Sequence, residues 1–65
     1  MWELYKKGTE NDKLILRGNG KTIYNFAKDK LEYVFDFNDF YCLDTDFENC
    51  LSLKEFIKCF EHIFK

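Results

Sequence analysis

A short acidic segment carries most of the side chains in this chain that could do chemistry. Between residues 44 and 55, oxygen-bearing side chains stand at the first, third, fifth, ninth and twelfth positions, and they are Asp44, Asp46, Glu48, Ser52 and Glu55. A hard divalent cation such as calcium takes about six to eight oxygen ligands, and alternating side chains on a tight loop can supply several of them. The segment is therefore a candidate site for such a cation, as an alternative to a protein-binding surface without a cofactor.

This spacing resembles the calcium loop of the EF-hand family over residues 44–55. The resemblance implies calcium as a cofactor and a helix on each side of the loop. Two positions depart from the family pattern: Asn49 replaces the usual glycine, and Phe47 stands where a small residue is common. Asparagine tolerates positive φ better than most residues, so the first departure weakens the match without excluding it. A solvated acidic turn, in which Ser52 and Glu55 cap a helix, explains the same residues without metal.

Charge is divided unevenly along the chain. Residues 1–30 carry seven Lys or Arg and four Asp or Glu, a balance of +3, whereas residues 31–65 carry three and eight, a balance of −5. A patch of one sign favours partners of the opposite sign, and an acidic patch disfavours nucleic acid. We therefore expect the second half to bind a larger protein with a basic surface. The candidate partner-binding residues are Asp36, Asp39, Tyr41, Asp44, Asp46, Phe47 and Glu48.

Phe47 is the most informative of these candidates because it stands between acids, where a core residue is not expected. Exposed aromatic rings often anchor protein interfaces; the alternative is that the ring folds back onto a small core. The leading hypothesis is a non-enzymatic protein-interaction module or inhibitor, and the competing one is an EF-hand-like calcium-binding domain. In size and composition the chain resembles small phage and accessory inhibitors of the anti-CRISPR type, without a motif to support that likeness. Self-association through exposed rings is a further possibility.

Other chemistry and other locations fit the residues less well. Cys59 and His62 stand three residues apart without an orienting group, so we expect no catalysis. Zinc sites usually begin with two cysteines separated by about two to four residues. No two of the three cysteines that could join His62 in such a site (Cys42, Cys50 and Cys59) are so close. The odd count of three cysteines fits a reducing compartment, where we expect them to be small buried residues. No apolar run approaches the about 20 residues that a membrane span needs, so the expected location is cytoplasmic.

Turn residues and apolar periodicity predict the elements that position these side chains. Three strands of an antiparallel meander are predicted at residues 2–7, 13–17 and 21–26. Asn19-Gly20 predicts a tight hairpin turn between the second and third strands, because both residue types accept positive φ.

Two capping boxes predict two helices after the meander. Asp29 with Glu32 predicts a helix over residues 30–41, although residues 31–37 also alternate as a strand does. Ser52 with Glu55 predicts a last helix that runs to the end of the chain. Its apolar stripe holds Leu53, Phe56, Ile57, Cys59, Phe60, Ile63 and Phe64. The expected fold is a single small α+β domain over residues 1–65, with three strands followed by two helices (βββαα).

Overall fold

The computed structural model describes residues 1–31 and 37–64. Its strands are β1 (Trp2–Lys6), β2 (Lys13–Gly18), β3 (Phe40–Asp44) and β4 (Asn49–Ser52), and its α-helices are α1 (Gly20–Phe26) and α2 (Leu53–Phe64). A π-helical turn at Ala27–Leu31 continues α1, and a 3-10 turn at Phe37–Asp39 leads into β3. The strands form one antiparallel sheet in the order β2-β1-β3-β4. No helix in residues 1–31 or 37–64 is long and apolar enough to cross a membrane.

The predicted order of elements, βββαα, is wrong, because residues 21–26 form helix α1 rather than a third strand. Asn19 does not begin a hairpin turn but caps this helix. Its backbone is extended (φ −76°, ψ 170°), and its Oδ1 accepts a hydrogen bond from the Thr22 N–H at 2.8 Å. A tight Asn-Gly hairpin turn requires positive φ at both residues, and no glycine in the described part of the chain has it.

Burial explains why the segment after Asn19 is helical. Ile23, Ala27 and Leu31 recur at every fourth residue, and all three are buried in the core. This spacing places them on one side of a helix, whereas a strand would send alternate residues to opposite faces. The β-branched and aromatic residues of the segment favour a strand only weakly, and packing outweighs that preference.

The described residues of the predicted helix over residues 30–41 form no α-helix: residues 30–31 end the π-helical turn, residues 37–39 form a 3-10 turn, and residues 40–41 belong to β3. Two residues of the predicted helix, Glu32 and Asp36, lie outside the described residues. Asp29 lies inside the π-helical turn and not at a helix N-cap. Phe40 and Tyr41 begin strand β3, whose residues alternate between buried and half-buried positions. The alternating residues 31–37 end before β3 begins, so neither that pattern nor the capping box predicted this strand.

Helix α2 begins where the capping residues predict. The Oγ of Ser52 accepts a hydrogen bond from the Glu55 N–H at 3.2 Å, as an N-cap serine does. Phe56 is fully buried, but Cys59 and Ile63 are exposed. The helix therefore buries a narrower apolar stripe than the sequence predicted.

The core lies between one face of the sheet and the two α-helices. Its buried residues are Leu4, Ile23, Ala27, Leu31, Phe40, Cys42, Leu53 and Phe56. The ring of Trp2 meets that of Phe56 edge-on, with centroids 4.9 Å apart. A Cβ at Gly20 would lie 2.5 Å from Cε1 of Phe60, so only glycine allows this close approach of α1 and α2.

The opposite face of the sheet, which we call the open face, packs against neither α-helix. The strand register places there the side chains of Glu3, Tyr5, Leu14, Arg17, Tyr41, Leu43, Cys50 and Ser52. None of these residues is buried, and Leu14 is 46% exposed. Arg17 Nε lies 3.5 Å from the Glu3 carboxylate on this face. The site residues must therefore be sought on the open face and at its ends.

Candidate functional site

The acidic segment forms a β-hairpin and not a loop between two helices. Asp44 and Asn49 are the last paired residues of β3 and β4, and residues 45–48, which we call the hairpin tip, connect them. Glu48 has φ of 55°, and a residue in the left-handed region commonly closes a short hairpin loop. The position that the sequence suggested for this conformation, Asn49, lies one residue later, in β4. The tip is thus a defined turn at the end of the central sheet.

Asp44 holds the hairpin together from within. Only 8% of the residue is exposed, and its Oδ1 accepts a hydrogen bond from the Asp46 N–H at 3.0 Å. This is the local side-chain-to-backbone bond by which aspartate stabilises turns. Asp44 is therefore less accessible to a partner than the sequence suggested, and its substitution would disturb the hairpin.

The hairpin tip is also tied to the beginning of β1. Thr45 donates hydrogen bonds from its N–H and its Oγ1 to the carbonyl oxygen of Met1, at 2.9 and 3.0 Å. The carboxylate of Asp46 forms an ion pair with the amino group of Met1. These bonds join residues more than 40 positions apart, so they fix the tip against the sheet.

Phe47 projects from the hairpin tip into solvent. It is 76% exposed, so the ring does not fold back onto the core. Its neighbours Asp46 and Glu48 are exposed as well. The tip therefore presents one aromatic ring between two carboxylates.

The proposed calcium ligands lie in four different parts of the structure. Asp44 ends β3, Asp46 and Glu48 lie in the tip, Ser52 ends β4, and Glu55 is in the first turn of α2. The helix that should precede an EF-hand loop is replaced by β3. No group of three or more His, Cys, Asp or Glu side chains within the described ranges is arranged to hold a metal ion. The calcium site stays a prediction, and a calcium titration followed by NMR would test it.

A cavity lies at the opposite end of the open face from the hairpin tip. Its volume is about 410 Å³, and it is lined by Lys7, Asp12, Asn38, Phe40, Tyr41, Cys50 and Ser52. The Tyr41 hydroxyl donates a hydrogen bond to Oδ2 of Asp12 at 2.6 Å, and the Gly8 N–H donates to Oδ1 of the same carboxylate at 3.2 Å. The Tyr41 ring stacks on Tyr5, with centroids 5.4 Å apart and planes inclined by 12°. Aromatic, acidic and small polar groups thus meet at one place.

The predicted partner-binding residues fall into two groups at the two ends of β3. Asp39 and Tyr41 lie beside the cavity, where the Asp39 carbonyl accepts a hydrogen bond from the Lys7 N–H at 2.8 Å. Asp44, Asp46, Phe47 and Glu48 lie at the hairpin end. Five residues of extended chain separate these ends by on the order of 15 Å. Asp36, the remaining candidate, lies outside the described residues.

Asp12 is a site residue that sequence reasoning missed. It belongs to a turn-forming segment, Gly8-Thr9-Glu10-Asn11-Asp12, that suggests only a connection between strands. It reaches Tyr41, 29 positions away, because β1 and β3 pair in the centre of the sheet. No local signal in the sequence could have found this contact.

Hydrogen bonding between Tyr41 and Asp12 alters the acidity of both groups. The bond to the Asp12 carboxylate, together with burial, raises the pKa of the Tyr41 hydroxyl to about 12. The same bond and that from the Gly8 N–H lower the pKa of the Asp12 carboxyl, because both donors favour its charged form. Asp12 is therefore a fixed negative charge at neutral pH.

The three cysteines do not share one environment, so the expectation that all are buried is wrong. Cys42 is fully buried, and burial raises the pKa of its thiol to about 12. Cys50 is exposed on the open face, and Cys59 is exposed on α2. Only Cys42 therefore behaves as a small core residue.

We expect the protein to lose stability at alkaline pH through Tyr41 and Cys42. Both pKa values are higher in the folded state, about 12 against ordinary values of 10.0 and 9.0, so the unfolded chain releases these protons first. The stabilisation is complete below those ordinary values and is lost as pH rises from about 9 to about 12. Urea unfolding across this range should show the loss, and Tyr41→Phe should show a smaller loss than the native chain. An equal loss in both proteins would contradict the role assigned to Tyr41.

No family model, curated protein or solved structure matches the chain. The hairpin tip and the cavity are therefore the features of the molecule that bear on its function.

Proposed function

We propose that this protein is a small protein-interaction module that binds a larger protein through its hairpin tip. The observation that carries the proposal is the 76% exposure of Phe47 on a turn whose backbone is tied to β1. Aromatic rings are enriched among the residues that dominate binding energy in protein interfaces. The hydrophobic ring has no structural role in the described contacts, so its exposure is better explained by a partner.

Charge around the tip indicates a partner with a basic surface. Glu48 lies next to the ring, Asp46 on its other side is paired with the Met1 amino group, and the sequence has no Lys or Arg between Leu31 and Leu53. At physiological ionic strength such charges act over about 8 Å. They would accelerate encounter with a basic surface and disfavour acidic partners.

The hydrogen bonds of the tip reduce the cost of binding. Asp44 and Thr45 hold the turn through bonds to Asp46 and Met1, so little backbone order has to be gained when a partner binds. A binding element that is ordered in advance loses less entropy on association. A protein of this kind would act by occupying a surface of its partner, as a small inhibitor does.

A photo-cross-linking experiment tests this proposal. A benzophenone amino acid replaces Phe47, and the cross-linked proteins of the native cell extract are identified by mass spectrometry. We expect one recurrent product with a basic surface, which unmodified protein competes away. The Phe47→Ala protein should compete about tenfold or more weakly than the native chain. Competition by the native chain should also become weaker as the salt concentration rises.

Matched variants separate the tip from general surface effects. Ile63→Ala removes another large exposed apolar side chain, on α2, and should compete as well as the native chain. Glu48→Lys should weaken competition strongly, whereas the same reversal at the exposed Glu10 should have little effect; Asp46 is left unchanged because its carboxylate pairs with the amino group of Met1. Asp44 is left unchanged because it stabilises the turn. Competition by Phe47→Ala at native strength would overturn the proposal.

A further inference from the structure

We propose that the cavity beside Tyr41 receives the guanidinium group of an arginine side chain. This inference rests on the proposed function, because a basic partner is the expected source of that arginine. It concerns the far end of the open face, on the order of 15 Å from the hairpin tip along β3. The partner would thus be held at two points of one surface.

The arrangement of side chains on the open face leaves one side of the Tyr41 ring available. Tyr5, from β1, stacks against this ring but does not line the cavity. On the other side lies β4, which contributes only Cys50 and Ser52 to this face; Ser52 is paired directly with Tyr41. Because these two residues are small, the cavity opens next to the aromatic ring.

A guanidinium group fits the groups that line this cavity. It is planar, so it can stack on the ring of Tyr41 while donating hydrogen bonds in its own plane. Asp12 supplies an acceptor, because its carboxylate is ionised and is oriented by bonds from Tyr41 and Gly8. Each carboxylate oxygen has a second lone pair for an incoming donor. A charge-assisted bond to this carboxylate and stacking on the ring would act together.

Lys7 also lines the cavity, and its positive charge repels a cationic ligand. Its ammonium group is on a long, exposed side chain that can move toward solvent, whereas the Asp12 carboxylate is held by two hydrogen bonds. The negative face of an aromatic ring also favours cations over carboxylates. We therefore infer a cationic ligand that binds in spite of Lys7.

The experiment uses N-acetyl-arginine amide as the probe and NMR of the backbone amides as the readout. Saturable shifts are expected at the amides of residues 12, 41, 50 and 52, with that of Tyr41 the largest. Asp12→Asn should weaken binding by about two- to five-fold, the range of an exposed charged contact. Lys7→Gln should strengthen it by a similar factor. A carboxylate ligand would reverse both signs and so contradict the inference.

A control variant, a second probe and a variant of Tyr41 test whether the cavity is specific for a guanidinium group. Glu10→Gln removes one exposed negative charge from the same connection without altering the cavity, and it should bind like the native chain. N-acetyl-lysine amide should bind more weakly than the arginine probe, because it cannot stack as a plane. Tyr41→Leu should lose the preference for arginine, and its thermal unfolding establishes that it is folded. Equal binding of both probes, or no saturable shift, would overturn the inference.

Failure of this inference can be told apart from failure of the proposed function. Phe47→Ala should bind the arginine probe normally, because the hairpin tip does not line the cavity. If the probe does not bind but cross-linking from position 47 still requires the native tip, only the arginine site is wrong. If the probe binds and cross-linking fails, the tip is wrong and the cavity remains.

Discussion

Replacement of Phe56 by alanine is expected to remove a large part of the free energy of unfolding of this protein. Phe56 is fully buried, and its ring contacts Trp2 and Phe60 at centroid distances of 4.9 and 4.4 Å. Removing a buried phenylalanine costs about 3–5 kcal/mol, because apolar contacts are lost and a cavity remains. A folded chain is stable by only about 0.05–0.15 kcal/mol per residue, which is about 3–10 kcal/mol for this chain. The loss is therefore comparable with the whole free energy of unfolding.

Phe47→Ala is the matched control for this prediction. It removes the same side chain from a position that is 76% exposed, so its effect on the free energy of unfolding should stay within about 0.5 kcal/mol. Urea unfolding followed by circular dichroism measures both variants under the same conditions. A large loss for Phe47→Ala, or a small one for Phe56→Ala, would contradict the burial described for these rings. The control also establishes that the tip variant is folded before it is used in competition experiments.

A proline at position 25 is expected to destabilise the protein by about 3 kcal/mol or more. Asn25 is exposed and lies in the last turn of α1, where its N–H belongs to the helical hydrogen-bond pattern. Proline removes this donor, and its ring collides with the carbonyl group one turn earlier. Burial of Ile23 and Ala27 depends on the same turn, so the damage reaches the core.

Asn25→Ala tests the same position without disturbing the backbone. Alanine is the strongest helix former, so this variant should be as stable as the native chain or slightly more stable. Asn25→Val is the comparison that separates helix from strand, since valine is favoured over alanine in strands and alanine over valine in helices. In thermal unfolding the alanine variant should therefore be more stable than the valine variant, and the reverse order would indicate the strand that the sequence suggested. Destabilisation by Asn25→Ala as great as by Asn25→Pro would argue against α1.

The start of α2 shows what can be predicted from residues close together in the chain. Ser52 and the Glu55 N–H are three positions apart, and the hydrogen bond between them needs no other part of the molecule. The acidity of the hairpin tip is a local property of the same kind, because Asp46, Phe47 and Glu48 are consecutive. These two features could be predicted from sequence for this reason.

Asn19 shows where local reasoning was insufficient. An asparagine before glycine can form a tight turn between strands or cap a helix, and both interpretations satisfy its side chain. Burial of Ile23, Ala27 and Leu31 on one side of a helix decides between them. That spacing was present in the sequence, but the alternating aromatic residues of the same segment concealed it.

The acidity of this segment is a property of its composition, but the sequence predicts a loop between two helices where the structure has a hairpin. Oxygen atoms at alternate positions suit a loop between helices as well as a hairpin, because the spacing does not specify the element that precedes it. Pairing of β3 with β1 specifies a strand there, and it buries Asp44 while leaving Phe47 exposed. The cavity beside Tyr41 depends on the same pairing. That pairing brings Tyr41 within hydrogen-bond distance of Asp12, 29 positions away in the chain. The sequence by itself determined the charge, the tip residues and the cap of α2, because these are local. Only the tertiary structure decided which residues share a surface, because that follows from strand order and from burial of the core.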